Sequence, residues 1–181
     1  MTIWVSMVVI CLLLLSACSN QVNKSEEKKA DWRCLLDNKL PLLGHRNWIV
    51  VTDMAYPLQS KPGILTLYSE DPFEDVLAYL QQSLGKVPHV YAHIYQDKEL
   101  SLLTEELCPG IGAFRQNVNQ ILSVSEVTSV PHEQLIARLD SASQLFQVVI
   151  IKTNLTKPYT SVFFELDCKY WDADKQGTLM R

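Results

Sequence analysis

The alternation of apolar and polar positions predicts a succession of helices and strands over residues 31–181. The most regular helical segment is 71–85, where Asp71 is the expected N-cap, Pro72 lies in the first turn and Gly85 ends the pattern. Runs of β-branched and aromatic residues predict strands. The predicted helices cover 31–44 with a break at Pro41, 71–85, 97–107, 113–123 and 131–143, and the predicted strands cover 48–53, 89–96, 145–153 and 159–170. This alternation favours an α/β layered domain over a helix bundle or a sandwich.

The first 17 residues have the pattern of an export signal. Residues 3–15 carry no charge, and small residues follow them. The sequence "LSAC" then resembles the lipobox of bacterial lipoproteins, which implies that Cys18 is lipidated and becomes the first residue of the mature chain. Such signals normally begin with Lys or Arg, whereas the first charged residue here is Lys24. The alternatives are a plain cleaved signal or an uncleaved anchor, and an anchor requires about 20 apolar residues.

The rest of the chain divides into a spacer and one domain. Residues 18–30 are polar and charged with nothing to bury, so we expect a lipidated cysteine followed by a flexible spacer. The folded domain is expected to cover 31–181. By resemblance to bacterial sorting rules, Ser19 after Cys18 favours the outer membrane. The expected location is therefore the cell envelope, on the periplasmic side of the outer membrane.

Composition and charge exclude some partners. The chain has 181 residues, 48% of them hydrophobic and 20% charged, which is typical of one globular core. Its net charge is −4 and its isoelectric point is about 5.5. Because binding to a phosphate backbone needs a basic surface, nucleic acid is not expected as a partner.

The cysteines and histidines do not predict a metal site. After removal of the signal and acylation of Cys18, Cys34, Cys108 and Cys168 remain, and three cysteines allow at most one disulfide. His89 and His93 have a spacing that would bind zinc on a helix, but in the predicted strand they would stand about 13 Å apart. We therefore expect no metal and no other cofactor.

The segment "GHRNWIVVTDMAYP", residues 44–57, contains the first candidate site residues. Asp53 ends the strand 48–53, and in open α/β sheets ligands bind outside the carboxyl ends of strands. Aspartate also commonly caps a turn through its own backbone, which is a purely structural alternative. His45, just after a helix, could equally be a solvated residue near a helix C-terminus.

Three motifs, in this order along the chain, resemble the RbsD/FucU family of sugar mutarotases. The first is "LPLLGHRNWIVVTDMAYP", with Gly-His, a buried strand ending in Asp eight residues after the His, and a turn closed by Pro. The second is "PHEQLIARLDSASQ", which resembles the His-bearing helix of the family. The third is "KPYTSVFFELDC", which resembles its last strand. The region 58–128 matches only in its alternation of elements, and the tail after 168 has no clear counterpart.

The resemblance implies a fold and a set of site residues. The expected fold is a single layered α/β/α domain with a mostly parallel or mixed sheet. The implied catalytic residues are His45, Asp53 and His132, and the implied substrate-binding residues are Tyr159 and Ser161. Ser161 is a departure, because the family commonly has Tyr-x-Asn at this position. The family forms ring-shaped homo-oligomers with sites at subunit interfaces, and its ligand is a free monosaccharide.

These residue types suit the chemistry of a mutarotase. Opening a hemiacetal requires a base at the anomeric hydroxyl and an acid at the ring oxygen, and histidine, with an ordinary pKa of about 6.5, can serve as either. The structural alternatives are that His132 only begins a helix, that Tyr159 packs within a strand and that Ser161 faces solvent.

The spacing of two candidate residues bears on assembly. With 48–53 extended, His45 and Asp53 would lie about 15–20 Å apart. A shared site would then need either a chain that folds back or residues from two subunits. The function predicted from the resemblance is interconversion of anomers, or of pyranose and furanose forms, of a ribose-like or fucose-like sugar. The alternatives are a catalytically silent sugar-binding accessory lipoprotein and a structural envelope lipoprotein.

Overall fold

The computed structural model describes residues 31–123 and 125–181, and the predicted signal and spacer lie outside them. The helices are α1 (Trp32–Lys39), α2 (Phe73–Lys86), α3 (Ile111–Ile121), α4 (His132–Ala142) and α5 (Ala173–Leu179). The strands are β1 (Trp48–Thr52), β2 (Ile64–Tyr68), β3 (Val90–Asp97), β4 (Val127–Val130), β5 (Val148–Lys152) and β6 (Val162–Cys168). Short 3₁₀ turns cover Leu40–Leu42 and Lys98–Leu102.

The strands form one mixed sheet in the order β2-β5-β1-β6-β3-β4. Strands β1, β2 and β5 are parallel to one another, β3 is parallel to β4, and β6 runs antiparallel to both of its neighbours, β1 and β3. Five strands therefore point the same way, and their carboxyl ends meet at one edge of the sheet together with the start of β6. This confirms the predicted α/β domain with a mixed sheet.

Helices cover both faces of the sheet, because successive strand residues point to opposite faces. Ile49 and Val51 of β1 pack in the larger core with α1, α2 and α3. Val50, between them, packs in a smaller core with Leu135 and Leu139 of α4. Full burial of each such leucine stabilises the fold by about 1.5–3 kcal/mol. The second core fixes α4, and with it the residue at its N-terminus, against the sheet.

Several predicted element boundaries were wrong. Residues 97–107 form only a 3₁₀ turn, because Leu100 is buried while Leu102 and Leu107 are exposed, which leaves no continuous apolar face for a longer helix. Helix α2 extends beyond Gly85, and Asp71 does not cap it. The Asp71 carboxylate instead accepts hydrogen bonds from Trp32 Nε1 (2.6 Å) and Arg33 Nη1 (2.8 Å).

Strands β2 and β4 were not predicted from the sequence. Both lie at the edges of the sheet, and β4 in particular has two exposed residues among its four. An edge strand of this kind carries little of the apolar pattern that identifies a central strand. In the described ranges the cysteines Cys34, Cys108 and Cys168 are free thiols.

Candidate functional site

A pocket of about 340 Å³ lies at the edge where the parallel strands end. Its lining comes from the segments that follow β1 and β4, from the last residue of β3 and from the loop that precedes β6. Four of the predicted site residues, Asp53, His132, Tyr159 and Ser161, line it together. The volume is near the lower end of the usual range for small-molecule sites, about 300–1,000 Å³. The pocket is therefore of a size suited to a small ligand.

His132 is the first residue of α4, directly after Pro131. Its backbone N–H donates to the Glu99 Oε2 carboxylate oxygen over 3.0 Å, so an acidic side chain satisfies one of the free donors at this helix N-terminus. Its imidazole Nδ1 lies 3.1 Å from Asp97 Oδ1. His132 thus contacts two carboxylates, that of Glu99 at its backbone N–H and that of Asp97 at a ring nitrogen.

Asp97 is a site residue that the sequence reasoning missed. It is the last residue of β3, it lines the pocket, and its side chain is 0% exposed. Burial raises its pKa, and the neighbouring His132 partly opposes this, whereas Glu99 and Asp53 raise the pKa further, to about 6. The rule that led to Asp53, that ligands meet the carboxyl ends of strands, applies equally to Asp97. The prediction that a helix begins at this residue obscured it.

Asp53 combines a structural role with a place in the pocket. Its Oδ1 accepts hydrogen bonds from the backbone N–H groups of Ala55 (2.7 Å) and Tyr56 (3.1 Å). The structural alternative, a turn cap, is thus present in the fold. The same side chain also lines the pocket, where its second oxygen has no hydrogen bond to any described residue.

Tyr159 and Ser161 lie in the loop before β6, because the strand begins only at Val162. Tyr159 has a backbone φ of 56°, a left-handed conformation that is uncommon for a bulky residue. Its ring meets the His132 ring edge to face, with centroids 5.4 Å apart. Ser161 is only 2% exposed, so the alternative of a solvent-facing strand position is wrong for this residue.

His45 lies outside the pocket, before β1, at the end of the sheet where the amino ends of the parallel strands lie. Its Nδ1 is 2.6 Å from Asp167 Oδ1, and Asp167 also contacts His93 Nε2 (3.3 Å) and accepts from Tyr91 Oη (3.1 Å). Burial raises the pKa of Asp167, but hydrogen bonds from the Cys168 N–H, His45, His93 and Tyr91 outweigh that effect and lower the pKa to about 2. Within one chain, therefore, His45 is not brought to the other four predicted residues.

Neither a metal centre nor a membrane helix is found in the described part of the chain. Within residues 31–123 and 125–181, no group of three or more His, Cys, Asp or Glu side chains is placed to hold a metal ion. No helix in these ranges is long and apolar enough to cross a bilayer. The pocket brings together an imidazole, carboxylates and hydroxyl groups.

The solved structures that resemble this fold include two sugar-bound proteins. Bacillus subtilis RbsD complexed with D-ribose matches with a TM-score of 0.53 at 19% identity, over 74% of this chain and 91% of that one. The fucose mutarotase of Streptococcus pneumoniae in complex with L-fucose matches with a TM-score of 0.49 at 17% identity, over 80% and 97% of the two chains. No family model and no curated protein sequence matches the chain. The six-stranded mixed sheet between helices is therefore the fold of RbsD.

Proposed function

We propose that the protein is a monosaccharide mutarotase that interconverts anomers, or pyranose and furanose forms, of a ribose-like or fucose-like free sugar. The observation that carries this proposal is the convergence of His132 with Asp53, Tyr159 and Ser161 on one open pocket. An imidazole, a carboxylate and two hydroxyl groups are what acid/base chemistry on a polyhydroxylated ring requires. The fold shared with a protein that was solved with D-ribose supports the same ligand class.

The reaction needs only proton transfers. A base removes the proton of the anomeric hydroxyl. The electron pair of the broken O–H bond forms the carbonyl, and the bond from the anomeric carbon to the ring oxygen breaks. The ring oxygen keeps that bond's electron pair and takes a proton from an acid. Closure on the other face, or by another hydroxyl, reverses these steps and gives the second anomer or ring size. No cofactor takes part in this sequence.

Each pocket residue has a defined part in this proposal. His132 exchanges the proton through Nε2, because Nδ1 faces Asp97. Asp53 binds a sugar hydroxyl through the carboxylate oxygen that the turn leaves unoccupied. Tyr159 offers an aromatic edge and a hydroxyl at the mouth of the pocket, and Ser161 offers a hydroxyl at its wall.

The assembly proposed with this function is a ring-shaped homo-oligomer. His45 and Asp53 flank β1 at opposite edges of the sheet, so His45 can act on the same sugar only if a second copy brings it to the pocket. Sedimentation of the purified protein tests this arrangement. A monomer that still interconverts sugars would refute it.

We also propose export and lipid anchoring through Cys18, which place the protein in the bacterial envelope. The support is the apolar run of residues 3–15 followed by "LSAC". Incorporation of radiolabelled palmitate in a bacterial host should be lost in Cys18→Ala and kept in Cys11→Ala, which removes a cysteine of the expected signal. Equal labelling of both variants would refute the anchor.

NMR saturation transfer between the anomer and ring-form signals of free sugars tests the enzymatic function. The full chain, in a detergent without sugar groups, should accelerate exchange for at least one of ribose, fucose, galactose, glucose and xylose. His132→Ala should lose about 10²–10⁴-fold of that rate, the usual contribution of a general acid/base. The matched control is His89→Ala, because His89 contacts the Leu43 carbonyl outside the pocket.

The second candidate is a sugar-binding accessory lipoprotein without turnover, and Ser161 favours it. A serine replaces the asparagine of the family pattern and cannot provide both the donor and the acceptor of an amide in the same geometry. Saturable sugar binding with no acceleration of exchange would select this candidate. A gain of exchange in Ser161→Asn would then identify the lost contact. Absence of sugar binding would refute both candidates.

A further inference from the structure

Asp97 is a buried carboxylate that the fold leaves without ordinary partners. Neither of its oxygens has a well-aligned hydrogen bond to any described residue, and both are fully buried. An unpaired buried acid is unfavourable by several kcal/mol when ionised, and natural cores rarely keep one. A valine or an asparagine would fill the end of a strand at a lower cost. The presence of a carboxylate at this buried position therefore points to a function.

Within the described residues, the base that faces Asp97 is His132. Nδ1 of His132 and Oδ1 of Asp97 are 3.1 Å apart, within hydrogen-bonding distance, although the angle between them is poor. Such contacts are often poorly aligned before a substrate binds. Two residues further along, Glu99 accepts the backbone N–H of His132. The last residue of β3 and the turn that follows it thus contact the ring and the backbone of the same histidine.

We infer that Asp97 is a positioning residue that holds His132 with Nδ1–H toward Oδ1, so that the Nε2 lone pair faces the pocket. This inference rests on the proposed function and adds to it the group that selects the tautomer and the ring orientation of the base. When Nε2 takes the proton of the anomeric hydroxyl, the imidazole becomes a cation beside the Asp97 carboxylate. The attraction between them stabilises the charge that develops on the ring.

The other charged groups around Asp97 strengthen this argument. Glu99, on the following turn, and Asp53, after β1, are both acidic and disfavour its ionisation, and the buried Tyr56 is neutral, since its own pKa is raised to about 12. Among the described groups that shift the pKa of Asp97, His132 favours the carboxylate form.

The test begins with a readout that needs no sugar. ¹⁵N-histidine NMR of the full chain at pH 8 should show His132 protonated at Nδ1 and unprotonated at Nε2, which is the opposite of the tautomer that free histidine prefers. In Asp97→Asn, the amide can donate to Nδ1, and the proton should move to Nε2. His132 resonances are assigned by their loss in His132→Ala. An Nε2–H tautomer in the unmodified protein, or an unchanged tautomer in Asp97→Asn, would overturn the inference.

Kinetics on the sugar identified above complete the test. Asp97→Asn should lower kcat about 10- to 100-fold with KM within about twofold, because the imidazole loses the carboxylate that orients it. The control is Asp71→Asn, a hydrogen-bonded carboxylate outside the pocket. Unchanged kcat in Asp97→Asn overturns the positioning role. The expected tautomer with no exchange of any sugar overturns the proposed function and leaves the Asp97 assignment standing.

Discussion

Asp97→Asn should stabilise the fold at neutral pH while it lowers activity. The carboxyl group has a pKa of about 6 in the folded protein against an ordinary value of 3.8, because it is buried beside Glu99 and Asp53. A group whose pKa is raised by folding binds its proton more tightly in the folded state. The stability that protonation supplies is complete below about pH 4 and is lost as the pH rises through 6.

The size of the effect follows from the pKa difference. A pKa difference of about two units, at about 1.36 kcal/mol per unit, lowers the free energy of unfolding by about 3 kcal/mol when Asp97 goes from fully protonated to fully ionised. The side chain is 0% exposed, so solvent screening does not reduce this figure as it would at the surface. Asparagine has nearly the same shape and no charge to bury. The free energy of unfolding of Asp97→Asn, relative to that of the unmodified protein, should therefore rise by about 2–3 kcal/mol from pH 4 to pH 7.

Urea denaturation of both proteins, followed by circular dichroism at pH 4, 5, 6 and 7, measures this difference directly. The quantity compared is how the difference in free energy of unfolding between the two proteins changes with pH, so an effect of the amide on packing that is the same at every pH cancels. Asp71→Asn is the control, because hydrogen bonds lower the pKa of Asp71 and its contribution has the opposite sign. A difference between Asp97→Asn and the unmodified protein that stays flat, or that falls toward pH 7, would refute the reasoning about a buried, poorly paired carboxylate.

Three further predictions concern the stability of the fold. Glu99→Ala should lower the free energy of unfolding by about 1.5–3 kcal/mol, because the His132 N–H loses a charged acceptor, as thermal denaturation would show. Asp167→Asn should lower stability by about 1 kcal/mol at pH 7 after solvent screening, and the difference should disappear as the pH falls from 4 toward 2, since hydrogen bonds lower the pKa of Asp167. Gly63→Ala should destabilise the fold by about 1–3 kcal/mol in urea, because its Cβ would overlap the Ser143 carbonyl oxygen.

The central part of the fold was predictable because its elements carry strong apolar patterns. Strand β1 is buried along its whole length, and α2 and α4 present apolar residues at helical spacing. The edge strands β2 and β4 were not found, since part of each strand faces solvent and their side chains do not show the pattern of a core strand. The alternation of the central elements was nevertheless sufficient to identify an α/β domain.

The site was predictable where it follows from strand direction. Asp53 was placed at the edge of the sheet by the rule on carboxyl ends, and the structure puts it there. Asp97 escaped the same rule because its segment, "QDKEL", reads as the start of a helix, although only a 3₁₀ turn follows. Which side chain touches His132 depends on the pairing of β3 with β4, a contact between distant segments that no local pattern encodes.

Two unfavourable local features meet at the pocket, and this favours a functional over a structural origin. Tyr159 adopts a left-handed backbone conformation that a bulky residue ordinarily avoids at a cost of about 1–3 kcal/mol. Asp97 is buried without a well-aligned partner. Both side chains approach His132, Tyr159 through a T-shaped contact between the rings and Asp97 at Nδ1. A fold selected for stability alone would remove either feature by a single substitution, so their coincidence around one histidine indicates that the geometry of that histidine is what the surrounding structure maintains.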